Sequence, residues 1–162
     1  MAGIAIELEV SGIEAALARL SAIGKAAETE ELADGLGALG VSQTQRRIES
    51  EKTTPAGQPW KPSIEGGSIL FRTGTHLRDN VQHAVRGAHE VAWGSGWVGA
   101  RIHNFGGVIT PVNGKALVFK LGGVVIRAGR VLMPKREWLG LSADNEHEME
   151  ETAKAFIAKV AQ

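Results

Sequence analysis

The chain has 162 residues, 43% apolar and 22% charged, with 18 Lys and Arg balancing 18 Asp and Glu. That length suits one domain around one core, and the composition lies far from the charged, core-poor signature of disorder. With no cysteine, disulfide frameworks and thiolate metal sites are excluded; without an apolar run of about 18 residues or a basic-then-apolar leader, a soluble protein made in a cytoplasm is expected.

The elements follow in chain order. Ile4, Ile6, Leu8 and Val10 alternate with Ala5, Glu7 and Glu9, the period of a strand with one buried face. Ser11 and Glu14 form a capping-box pattern, and Ile13, Ala16, Leu17 and Leu20 then keep helical spacing as far as Gly24. A second helix is predicted over 30–49 despite Gly35, Gly37 and Gly40, each of which costs about 1 kcal/mol relative to alanine unless a neighbour packs closely.

Residues 50–73 hold Pro55, Gly57, Pro59, Pro62, Gly66 and Gly67 around a lone Trp60, with no sustained period. A loop this long is functional or disordered as a rule, and its tryptophan is expected to dock, either on its own domain or on an adjacent copy. A short helix is expected over 75–80, then strands over 81–85 and 90–93 joined around Gly87, and a short helix from Trp97 into Phe105 closed by Gly106 and Gly107. Val108 and Ile109 begin another strand. Leu117 to Leu121 and Val124 to Ala128, joined by Gly122 and Gly123, carry the clearest hairpin signal, because glycine at both central positions suits a primed turn. After Pro134, Leu141 and Ser142 introduce a last helix whose apolar face is Met149, Ala153, Phe156, Ile157 and Val160, with acids at its start and Lys154 and Lys159 later, the order that the helix dipole favours. The expected fold is a single α+β domain over 1–162, a small antiparallel sheet with hairpins packed on helices and a long Pro/Gly loop.

The neutral total hides a segregation of charge. Between Arg46 and Arg136 fourteen Lys and Arg stand against five acids, leaving +9 in the middle and −9 on the two ends. Such a layout serves contacts between copies, presents a basic face to DNA, or neutralises itself within one monomer.

The residues of enzyme chemistry do not assemble. Five histidines, His76, His83, His89, His103 and His147, show no HExxH, no pair four apart on a helix and no adjoining acidic cluster. For His103, between Ile102 and Asn104, a structural hydrogen bond is the expected use. Gly94, Gly96 and Gly99 lack the Walker ending, and Gly94 and Gly96 flank Ser95 one residue too closely for a nucleophile elbow. No cofactor and no catalytic or metal site is expected. Trp60/Lys61, Phe71/Arg72, Trp97/Arg101 and Phe119/Lys120 interleave aromatic and basic residues as nucleic-acid proteins do, with no recognition motif beside them.

Four segments in order, TPAGQPWKPS (54–63), LFRTGTHL (70–77), VGARIHNFGG (98–107) and MPKREWLGLS (133–142), resemble the Mu-like phage virion morphogenesis family, the tail completion proteins. This sequence has Trp138 and Val98 where the family layout has phenylalanine and tyrosine. The resemblance covers about residues 4–160. It implies a non-enzymatic virion protein needed to finish a tail or join it to a filled head, a terminator- or neck-type ring component located in the tail or neck and assembled in the host cytoplasm. Its expected partners are copies of itself and tail-tube or connector proteins, with no membrane. The candidate contact residues are Trp60, Arg72, Arg78, Arg101, Gly122 and Gly123. The alternative is a neck or connector component whose basic middle segment touches the DNA phosphate backbone, with binding that weakens steeply in salt.

Overall fold

A computed structural model describes residues 4–9, 29–71 and 76–160. The helix expected over 11–24 lies outside the described residues, and so does Arg72. The rest is an α+β fold. Strand β1 (Ile4–Glu9) pairs with β3 (Glu90–Ser95), which also pairs with β2 (Val81–Val85), so the order is β1-β3-β2 and every pairing is antiparallel. Ile6 and His83 are both register partners of Trp93 at the centre of the sheet.

Helix α1 (Glu30–Arg46) crosses this sheet. It begins where Thr29 Oγ1 accepts from Leu32 N, with Glu30 and Glu31 in the first turn as the helix dipole favours. Leu32, Ala33, Leu36, Gly37, Gly40, Gln43 and Thr44 form its buried stripe, a spacing of three and four residues that keeps them on one side. The close packing needed to explain the glycines is present at two of the three. A Cβ on Gly37 would lie 2.6 Å from His83 Cδ2 and Val91 Cγ2, and one on Gly40 2.7 Å from the Trp93 ring, whereas one on Gly35 meets nothing within 4 Å. Gly40→Ala is therefore expected to destabilise by about 1–3 kcal/mol through overpacking, and Gly35→Ala to stabilise by about 0.5–1 kcal/mol through helix propensity alone. Equal melting temperatures for the two variants would show that the sheet does not require the groove.

The helix continues as one π turn (Arg47–Glu51), in which Lys52 N donates to Arg47 O five residues back at 3.0 Å, and Lys52 closes it at φ 57°. The loop that follows is folded at its start. Thr53 bridges Pro59, Thr54 N donates to Gln58 O at 2.7 Å, and Trp60 N donates to Lys52 O at 2.9 Å. The short helix expected near residue 80 is a 3-10 turn (Arg78–Asn80), and the next is α2 (Ala100–Phe105), ended by Gly106 at φ 69°.

Beyond α2, β4 (Gly107–Ile109) pairs with β7 (Val131–Met133), a partner with no signal in the sequence. The hairpin β5 (Leu117–Leu121) and β6 (Val124–Ala128) has the expected bounds, with Gly122 and Gly123 at φ 56° and 83° as a primed turn requires. Helix α3 (Ala143–Val160) starts at Ser142, whose Oγ accepts from Asn145 N at 3.2 Å, and buries Met149 and Ala153. It packs against α1, so the core lies between the two helices and the sheet.

Candidate assembly surface

The segments around the Pro/Gly loop and the MPKREWLGLS stretch close on one another. Trp60 is 5% exposed, and its Nε1 donates to Glu137 O at 3.1 Å. Arg136 reaches back to the same loop, Nε to Lys61 O at 2.8 Å and Nη2 to Pro62 O at 2.9 Å. Buried Asn104, from VGARIHNFGG, accepts through Oδ1 from both Trp138 N (3.0 Å) and Leu139 N (3.1 Å), while Trp138 Nε1 donates to Ala100 O at 3.2 Å. Residues from three of the four motif segments thus form one clasp, in which side chains satisfy the backbone groups of an irregular segment.

A second polar junction joins α1 to α3. Arg47, 1% exposed, donates to Gly140 O and to Asn145 Oδ1, each at 2.5 Å, and its Nε lies 3.7 Å from Glu51. Burial pushes its guanidinium below the usual arginine range. Gln43 donates to Asn145 O and to Glu148, and Arg46 pairs with Glu148 at 3.1 Å and with Glu51 at 2.9 Å. Those bonds, Gln43 first and Arg46 second, hold the Glu148 carboxyl below its ordinary value.

The candidate contact residues that are described have unlike surroundings. Trp60 is inside the clasp, docked on its own chain. Arg78 is partly buried, paired with Asp79 at 2.9 Å and Glu49 at 3.3 Å, and lies over Phe71. Arg101 is exposed and makes no ion pair or hydrogen bond among the described residues. Gly122 and Gly123 are exposed at the hairpin tip, where Glu65 Oε1 accepts from Gly122 N at 2.7 Å.

The surface that single-residue reasoning missed is a region. Among the described residues, nine of the ten exposed large apolar side chains fall between Val98 and Leu132; Val112 is 92% exposed, Leu132 74% and Val108 55%. Val108 and Leu132 are register partners across the β4–β7 ladder, so their exposed side chains adjoin. Over the same stretch the sequence has no acid at all from Val91 to Arg136, and seven Lys and Arg. Exposed apolar side chains and basic residues thus fall on the same stretch of chain.

His103 departs from its expected role. Its ring stacks on Trp97 at 5.5 Å, with His76 on the other stacking contact at 5.7 Å, and its Nδ1 is buried with no hydrogen-bond partner among the described residues. A cavity of about 700 Å³ opens between this stack and the loop 63–71. Burial first, and Arg136 second, push the His103 imidazole below its usual 6.5. The folded state therefore binds fewer protons there than the unfolded chain, so stability is complete above about 6.5 and falls as pH drops toward the folded-state value. His103→Phe keeps the stack and removes the titration. Urea denaturation at pH 7.5 and pH 5 should show a smaller loss of stability in the variant than in the wild type, and equal losses would show that His103 does not contribute.

The model of the phage virion morphogenesis family matches residues 8–158 of the chain. The chain belongs to the phage virion morphogenesis family. The match spans the clasp, the α1–α3 junction and the exposed basic region together. No match was found among curated proteins or among solved structures. Among the described residues of this family member no His, Asp or Glu cluster could hold a metal ion, and no helix is long and apolar enough to cross a membrane.

Proposed function

We propose that this morphogenesis protein is a non-enzymatic structural subunit of a terminator- or neck-type ring, residing in the virion and acting in tail completion or at the head–tail junction. The observation that carries the reading is the set of exposed apolar side chains on the basic stretch from Val91 to Arg136, which has no acid in its sequence. Its partners are copies of itself and tail-tube or connector proteins, joined by shape and charge. The test is the mass of the purified protein by light scattering at low and high salt, alone and with the tail-tube protein. A discrete ring that salt loosens supports it; a monomer that ignores the tail-tube protein at every salt overturns it.

A second reading, contact with the DNA that passes through such a junction, is favoured by Arg101, Lys120 and Arg127, exposed cations without an ion-pair partner among the described residues. It expects retention on duplex DNA that falls steeply with salt. Arg101→Glu weakens that retention while leaving the oligomer mass unchanged; undiminished retention sinks it.

A further inference from the structure

The hairpin β5–β6 has two unlike faces. Leu117, Phe119, Leu121 and Ile126 are half-buried on one. The other carries Val118 and Lys120 beside Arg127 and Val125, their register partners, with the valines 60% and 55% exposed. Among the described residues neither strand packs extensively on a helix, and the bond from Gly122 to Glu65 ties the tip to the loop. A face that alternates valine with cations asks for a partner that is both acidic and able to cover methyl groups. Phosphate backbone supplies only the first.

The same chain contains such a surface. One flank of α3 exposes Glu146 and Glu150, with the half-buried Ile157 further along the same side, while Asp144, Glu151, Ala155 and Ala158 are exposed on another side of the helix. Lys154 pairs with Glu151 at 2.8 Å and approaches Glu150 at 3.9 Å, whereas Asp144 and Glu146 have no cationic partner among the described residues. The spacings agree. Diagonal neighbours across an antiparallel pair, as Lys120 and Arg127 are, lie about 7–8 Å apart, and residues four apart on a helix, as Glu146 and Glu150 are, have Cβ atoms about 5–6 Å apart.

We infer that the Val118, Lys120, Val125 and Arg127 face of one copy docks on the Glu146 and Glu150 face of α3 in a second copy. This rests on the ring reading and gives it an interface. The contact joins two different surfaces, so it repeats head to tail and closes into a ring when its rotation permits.

The test is a charge exchange read as mass by light scattering at low salt. Lys120→Glu with Arg127→Glu, and separately Glu146→Lys with Glu150→Lys, each set like charges across the contact and are expected to give monomers. An equimolar mixture of the two, or one chain carrying all four changes, restores opposite charges and should recover the wild-type mass. Circular dichroism verifies folding, and the milder Lys120→Gln with Arg127→Gln replaces any reversal that unfolds. If the two-residue reversals keep the wild-type mass, the interface is elsewhere and the ring reading survives. If they dissociate and the four-residue exchange does not reassemble, the hairpin docks on something other than α3. A wild-type monomer at every salt, with and without the tail-tube protein, overturns interface and ring together.

Discussion

Replacing Arg47 with methionine is expected to lower the free energy of unfolding by about 3–5 kcal/mol, the usual scale for removing one partner of a buried, hydrogen-bonded charge cluster. The size follows from what the side chain holds. Two charge-assisted bonds, to Gly140 O and Asn145 Oδ1, reach from the end of α1 to the turn before α3 and to that helix's first turn. Bonds of this kind contribute about 1.5–3 kcal/mol each, and methionine fills much of the volume while leaving the Gly140 carbonyl without its donor. Asn145 would still accept from Ser142 N at 3.3 Å, so the helix start persists and the loss falls on the docking of α3. Lysine is a poor substitute because a single ammonium cannot reproduce the planar fork. For a chain of this size the midpoint should fall by roughly 6–20 °C, taking about 2–4 °C per kcal/mol. Thermal melts of Arg47→Met and Arg47→Lys check this, and a shift under about 2 °C in both would show that the junction is dispensable.

How far the sequence could be read depended on whether a signal was local. The strand candidates over 81–85 and 90–93 joined around Gly87, the Gly122–Gly123 turn and the acid-first charge order of α3 are written within a few residues, and the corresponding elements appear at the expected places. The glycines of α1 could be read as a demand for a close neighbour, but which neighbour depended on the register that places Trp93 and Val91 under the helix. Strand β7 was illegible because Val131, Leu132 and Met133 are all apolar and show no alternation in sequence, although their burial alternates in the fold, and its pairing comes from the path of the chain after β4. The π turn gave no warning either, since Arg47–Glu51 continues helical spacing in sequence. For the site, Trp60 could be expected to dock, while its acceptor, a backbone carbonyl 77 residues on, could not. Exposure is likewise a property of the folded chain: Val118 and Phe119 look alike as strand residues, and only the hairpin's placement leaves the first outward.

Trp138→Ala should approach the same magnitude, about 3–5 kcal/mol, because the indole is wholly buried and its removal leaves a cavity that a clasp of fixed hydrogen bonds cannot collapse to fill. Trp138→Phe isolates the polar part. It keeps an aromatic ring but loses the bond from Nε1 to Ala100 O, so a cost nearer 1–2 kcal/mol is expected, combining one hydrogen bond with the lost volume. Asn104→Ala attacks the clasp from the other side, leaving two buried backbone N–H groups without their acceptor, at about 1–3 kcal/mol for each group. Residues that share one network couple, so Trp138→Ala with Asn104→Ala should cost less than the sum of the two. The clasp also sets the position of β4 and β7, since Arg136 N donates to His103 O at 2.9 Å just beyond the ladder. Loosening it should therefore disturb the exposed Val108–Leu132 surface before the core around Trp93 melts. Hydrogen exchange below the melting temperature distinguishes the cases: faster exchange confined to 100–140 in Asn104→Ala supports a local clasp, and uniform acceleration across α1 and β3 would mean that the clasp and the core unfold as one unit.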